Sequence, residues 1–299
     1  MHTLKVDLTP KLKPLELDSI KGVAGNMPFS GSSGSFAGRR PRRVFRGKGL
    51  EFEKFREFAP GDDASMIDWK ASLRSWKMLV KVYTEEQNKD IVFAMDTSAS
   101  MVYSSFGKMK CEYAAELVAS LSYALAESGD NIGLAMFSDH VRTYLRPGAG
   151  NKHHHAILQE LKNPKNYDGN FDFEKSLMQI ASLMTRKTMI LLFSDFIGLK
   201  HNWERVITTL SEKYEFIGFC ILDPADLRLP EQEEQVVIAH PYAQREMIVD
   251  PGNIAQEYEL HNRQRLRHLE TVFTKTVNRF LVLVTNRDFK RDVERFLLG

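Results

Sequence analysis

From residue 90 onward, apolar and polar positions alternate with two distinct periods. Ile91-Val92-Phe93-Ala94-Met95 is an unbroken apolar run, as expected of a strand buried on both faces. Comparable runs recur at Asn131–Phe137, Thr188–Phe193, Glu215–Leu222 and Phe280–Val284. Between them the period lengthens. Met109, Tyr113, Leu117, Leu121 and Leu125 fall four apart and predict a helix over residues 108–128 with one inward face. Gly129-Asp130 stops it. Val141–Leu145 pairs with the preceding strand as a hairpin, and a short helix at 152–161 ends at Asn163-Pro164. Asp172 caps a helix running to residue 186, with Phe173, Leu177, Ile180 and Met184 inward. A helix at 202–213, a small hairpin of Val236–Ala239 with Glu246–Val249, a long helix at 253–278 and a last helix at 288–298 complete the series. This alternation predicts an α/β fold over residues 90–299, a doubly wound, mainly parallel sheet with helices on both faces.

The chain before residue 90 is built differently. Residues 1–44 form a flexible N-terminal segment with a Gly/Ser stretch, Gly31-Ser32-Ser33-Gly34-Ser35, and a basic cluster, Arg39-Arg40-Pro41-Arg42-Arg43. Acidic residues follow at once (Glu51, Glu53, Glu57, Asp62, Asp63), so the cluster reads as solvated or internally paired rather than as a nucleic-acid arm. Residues 45–89 alternate aromatic and charged side chains densely: Phe45, Phe52, Phe55, Phe58, Trp69, Trp76 and Tyr83. These aromatics are expected to form a core that packs the segment onto the following domain. Leu79–Tyr83 reads as a strand. Arg56, Lys70 and Lys81 are candidates for a basic patch facing an acidic partner, set against internal ion pairing with Asp62, Asp63 and Asp68.

With 43% hydrophobic and 27% charged residues the chain is of ordinary globular composition. A net charge of +2 gives no global pull toward nucleic acid or membrane. No apolar run approaches the roughly 20 residues of a bilayer span, and the N-terminus lacks the order of a signal peptide. Cys111 and Cys220 lack metal-type spacing and read as buried free thiols of a reducing compartment. A cytoplasmic protein is the resulting expectation.

The chemistry concentrates at strand ends. Asp96-Thr97-Ser98-Ala99-Ser100 follows the strand at 91–95, and Ser194-Asp195 closes the strand at 188–193. In open α/β sheets ligands bind at that edge. Carboxylate and hydroxyl oxygens are hard donors suited to Mg²⁺, with Mn²⁺ or Ca²⁺ as alternatives. Ser98 and Ser100 would hold the ion directly, and Asp96 and Asp195 largely through water.

At these residues the chain resembles the metal-ion-dependent adhesion site of a von Willebrand factor A-type domain. Upstream, Gly49-Leu50-Glu51-Phe52, Phe55-Arg56-Glu57-Phe58, Pro60-Gly61-Asp62-Asp63 and Ile67-Asp68-Trp69-Lys70-Ala71-Ser72 run in order. Leu79-Val80-Lys81 and Glu85-Glu86 follow. Together they resemble the bacterial family called domain of unknown function 58, over residues 45–200. The resemblance implies a non-enzymatic adaptor or co-chaperone that binds protein through the metal and works with a MoxR-type AAA+ ATPase. One departure stands out. The adhesion site normally adds a threonine from a second loop, and here that position falls on Phe171, with Asn170 beside it. Phe171 offers no oxygen, so Asn170 or water would have to fill the gap.

Other chemistry is weaker. His153-His154-His155 cannot converge on zinc from consecutive helical positions and reads as a solvated helix start. No glycine-rich phosphate loop and no Gly-x-Ser-x-Gly elbow occur. The alternatives are a Mg²⁺-dependent phosphoryl-transfer or hydrolytic enzyme on a similar sheet, and a metal-free scaffold with a degenerate site.

Overall fold

A computed structural model describes residues 50–59, 62–85, 90–184, 188–229, 236–239, 241–242, 246–276 and 278–298. The basic cluster at 39–43 and Phe45 lie outside them, as do the side chains of Phe52, Lys81 and Tyr83. The described residues fall into two units, 50–85 and 90–298.

In the smaller unit, strand β1 (Leu50–Glu57) pairs antiparallel with β2 (Leu79–Glu85), with a register irregularity between Phe52 and Lys54. Between them lies the short helix α1 (Trp69–Ser75). Asp68 caps it, its carboxylate accepting from the N–H groups of Lys70 and Ala71 at 2.9 and 3.0 Å. Within this unit the two described tryptophans are not enclosed. Trp69 is 64% exposed and Trp76 95%, and Phe55 is exposed as well. Of α1 only Ser72 is buried. A helix of two turns beside a two-stranded ribbon has too little apolar surface to enclose two indoles.

The larger unit is wound as the periodicity predicts. Its elements are β3 (Asp90–Asp96), α2 (Lys110–Glu127), β4 (Asn131–Phe137), β5 (Val141–Gly148), α3 (Asn151–Lys162), α4 (Phe173–Leu183), β6 (Thr188–Ser194), α5 (Trp203–Ser211), β7 (Glu215–Leu222), the short α6 (Pro224–Leu227), β8 (Val236–Ala239), β9 (Glu246–Val249), α7 (Pro251–Lys275), β10 (Arg279–Val284) and α8 (Lys290–Leu298). Six strands form one sheet in the order β10-β7-β6-β3-β4-β5, and β8 and β9 form a separate antiparallel pair. Within the six-stranded sheet only β5 runs antiparallel to its neighbour. This is the doubly wound, mainly parallel sheet that the alternation of strand and helix predicts.

The apolar runs of the strands feed both faces, since successive side chains point opposite ways. Ile91, Phe93 and Met95 enter one core with Leu117 and Leu121 of α2, Ile157 of α3 and Val293 of α8. Val92 and Ala94 enter the other, with Leu177 of α4, Ile207 of α5 and Phe273 of α7. Phe93 is wholly buried, and truncating it to alanine costs about 3–5 kcal/mol. Helix α2 departs from its predicted single inward face. It is buried nearly all round, Glu112 and Glu116 included. Both glutamates find local partners. Glu112 accepts from the Met109 N–H at 3.0 Å, and Glu116 pairs with Lys108 at 2.6 Å. Cys111 and Cys220 are both free and buried.

Candidate functional site

Strands β3 and β6 are parallel neighbours in register, Met95 opposite Phe193, so Asp96 and Ser194 end side by side. Between these strands the winding of the sheet reverses, which opens a crevice at their carboxyl ends. Asp96 is held there by two donors. The Ser194 hydroxyl donates to its Oδ2 at 2.6 Å and the Ser98 N–H to its Oδ1 at 2.9 Å. Asp195 follows directly, its Oδ1 accepting from the Ile197 N–H at 2.9 Å.

The loop after β3 is fixed by backbone bonds. The Thr97 N–H donates to the carbonyl of Phe137 at 2.8 Å. The loop preceding α4 is laced to it twice, from the Ala99 N–H to the Gly169 carbonyl at 2.9 Å and from the Asp168 N–H to the Thr97 carbonyl at 2.8 Å. Asp168 and Gly169 take left-handed conformations to make this approach (φ 76° and 116°). The lacing sets Phe171 beside the cluster, buried. Asn170 is exposed. Thus Asp96, Ser98, Ser100 and Asp195 are gathered at one strand-end crevice, all of them buried.

Two residues that the motif reading missed enter this crevice. The first is Tyr242, from the connection between β8 and β9. Its hydroxyl lies 2.9 Å from Ser98 Oγ and donates to Ser100 Oγ at 2.7 Å. A phenol has one proton, so Ser98 is the donor in the other bond. The Tyr242 ring stacks on Phe171, centroids 5.8 Å apart and planes 15° from parallel. On another side is Gly198, at φ +84°, where a Cβ would come within 2.8 Å of the ring.

The second is Lys110, the first residue of α2. Its ammonium lies 2.7 Å from Asp195 Oδ2 and 2.8 Å from Asp226 Oδ2. Burial opposes its charge, yet Asp195 and Asp226 outweigh that and raise its pKa. A lysine in the first helical turn works against the helix dipole, and that mismatch was the one trace of this role in the sequence. Tyr242 left none, being a lone aromatic in a short insert.

The electrostatics follow from this enclosure. Burial, and then the charge of Asp195, push the Asp96 carboxyl up to about 7, against the hydrogen bonds from Ser194 and Ser98. Burial, with Asp96 and Asp195 behind it, also raises the Tyr242 phenol. The donors suit a hard divalent cation in kind, since two hydroxyls face one point near two carboxylates. Their surroundings are those of a closed site. A phenol occupies the point that both hydroxyls face, an ammonium is paired with Asp195, and Phe171 replaces the third oxygen. Among the described residues no group of three or more His, Cys, Asp or Glu side chains is arranged for a metal ion.

The remaining candidates are placed as follows. Arg56 forks onto Asp62 at 2.5 and 2.6 Å, and Lys70 is exposed on α1. The three histidines diverge. His155 is exposed, whereas His154 is buried, its Nδ1 2.9 Å from the Ser122 hydroxyl, which corrects the expectation of a solvated helix start.

The model of a family described as "Protein of unknown function DUF58" matches residues 54–267. The uncharacterized protein Rv1480 of Mycobacterium tuberculosis is 24% identical over 259 residues, covering 84% of this chain and 80% of its own length. Mb1516 of Mycobacterium bovis gives the same values. Among solved structures, BatB of Bacteroides thetaiotaomicron aligns with a TM-score of 0.45 at 11% identity, over 70% of this chain and 97% of its own. A von Willebrand factor type A protein of Catenulispora acidiphila aligns with a TM-score of 0.38 at 12% identity, over 74% and 44%.

Proposed function

Because the chain belongs to the DUF58 family, with a von Willebrand A-like domain, we propose that it is a non-catalytic, protein-binding adaptor or co-chaperone. Its partner on this reading is a MoxR-type AAA+ ATPase, engaged in the cytoplasm at the strand-end crevice. The observation that carries the proposal is the convergence of the Ser98 and Ser100 hydroxyls beside Asp96 and Asp195. Two exposed aromatics, Tyr103 and Phe106, stand on the loop that follows this cluster and supply apolar surface for a protein partner. Both serine hydroxyls bond a phenol rather than an imidazole, which speaks against use as nucleophiles. Among the described residues no helix is long and apolar enough to cross a membrane.

Ser98 and Ser100 would hold a Mg²⁺ ion directly, with Asp96 balancing its charge through water. Such an ion would supply an open coordination position for an acidic group of the partner. The protein's own part is to fix the two hydroxyls through the laced loops and to keep bulk water away. A metal-free scaffold is the second reading, favoured by Phe171 and by the ammonium of Lys110 on Asp195.

Capture of a MoxR-type ATPase on the immobilised full chain separates the two. Mg²⁺-dependent capture that falls at least tenfold with chelator, and equally in Ser98→Ala/Ser100→Ala, is expected for the metal-assisted adaptor. Capture indifferent to both changes would leave the scaffold. No capture under any condition would remove the ATPase as partner.

A further inference from the structure

We propose that Tyr242 gates the oxygen cluster, so that a divalent cation, or an acidic oxygen of a partner, reaches Ser98 and Ser100 only when this tyrosine withdraws. The inference rests on the reading of this crevice as the binding site and names its regulation.

Enclosure is the first observation. Asp96, Ser98 and Asp195 are 0% exposed and Ser100 only 3%. With Tyr242 seated, no ion from solvent touches these oxygens. The phenol itself is the half-buried member of the set, which marks it as the cover rather than the floor.

Bonding is the second. Tyr242 accepts a hydrogen bond from Ser98 and donates one to Ser100, so its proton points at an oxygen a cation needs. A Mg²⁺ ion sits about 2.1 Å from its ligands and cannot share the line between those two oxygens.

The seat is the third. The ring lies against Phe171 and passes Gly198 where no Cβ fits. Phe171, which has no ligand to offer, thus has a use as the stacking surface of the closed state. An aromatic pair of this kind contributes about 0.5–1.5 kcal/mol beyond its burial.

The means of opening is the fourth. Tyr242 rides on the connection between β8 and β9, whose hydrogen-bonded ladder is separate from the six-stranded sheet. Withdrawing the Tyr242 side chain breaks its hydrogen bonds to Ser98 and Ser100 and its stack on Phe171, none of which belongs to the ladder of the large sheet.

The test is a Mn²⁺ titration of the full chain, read by electron paramagnetic resonance of the free ion. Wild type is compared with Tyr242→Phe, Tyr242→Ala, and Tyr242→Ala combined with Ser98→Ala/Ser100→Ala, with circular dichroism reporting the fold. A gate closed most of the time weakens apparent affinity by the fraction open. Tyr242→Ala is therefore expected to bind at least about tenfold tighter than wild type. Tyr242→Phe, which keeps the ring and loses both hydrogen bonds, should fall between them. Loss of the gain on removing the two serine hydroxyls would place the ion at the cluster. Equal or weaker binding in Tyr242→Ala, or binding in no variant, overturns the gate. So does a gain that survives loss of both hydroxyls. Should Tyr242→Phe alone keep the wild-type fold, its gain or lack of gain decides. A gain in Mn²⁺ affinity without ATPase capture would retain the gate and discard the adaptor reading. Metal-dependent capture with unchanged affinity in the variants would do the reverse.

Discussion

Lys110 and Asp195 form a buried ion pair, Nζ to Oδ2 at 2.7 Å, with side chains 1% and 0% exposed. Asp226 is the second carboxylate on the ammonium, at 2.8 Å. A buried pair is weak evidence for net stability, but removing one partner strands the other charge in a poor solvent. Lys110→Met is therefore expected to lose about 3–5 kcal/mol, measured as the free energy of urea unfolding. Adding Asp195→Asn should restore part of that loss, because the two sites share one interaction.

Phe171→Thr exchanges a stacking surface for a hydroxyl. The seated tyrosine loses its ring partner, and the crevice gains the oxygen the resemblance would place there. Calorimetric Mg²⁺ titration is expected to give tighter binding than in wild type. Unfolding should become easier by about 1 kcal/mol or more, from the lost stack and the smaller side chain.

Asp96 makes stability depend on pH in a direction unusual for a carboxylate. Its folded value, about 7, lies above the ordinary 3.8. Between those limits the folded chain holds a proton that the unfolded chain has released. This contribution is full below the ordinary value and is lost as pH rises through the folded one. Stability from this group should thus decline between about pH 4 and pH 7. Unfolding of Asp96→Asn across that window should show a flatter profile than wild type.

Burial pushes the thiols of both Cys111 and Cys220 up to about 12. The thiolate is the reactive form. A disulfide reagent at pH 8 is expected to label neither cysteine in the folded chain and both in denaturant. Rapid labelling of native Cys220 would mean that the end of β7 opens readily.

What could be read from the sequence follows from where its signals are local. Strands β4 and β7 have the predicted limits, because an apolar run with polar flanks fixes both ends. Asp172 caps α4 as its position before Phe173 implies, its side chain accepting from the Lys175 N–H at 3.1 Å. The four strand-end residues were legible for the same reason, each sitting on or just beyond an identifiable strand. Helix α2 misled, because its two buried glutamates look like a solvent face until their partners are known. Trp69 and Trp76 are exposed within their own small unit, since aromatic content closes a core only where enough surface surrounds it. Lys110 and Tyr242 reach the crevice from 14 and 146 residues beyond Asp96 by number, a separation that no spacing rule covers.

The crevice divides mechanical labour between two kinds of backbone. Its base is stitched to β4 through Thr97 and Phe137, and its two loops are stitched to each other through Ala99 and Asp168. Its top is carried by a ribbon whose strands pair, among the described residues, only with each other. If Tyr242 gates the crevice, substitutions in the ribbon retune access while the oxygens underneath keep their places.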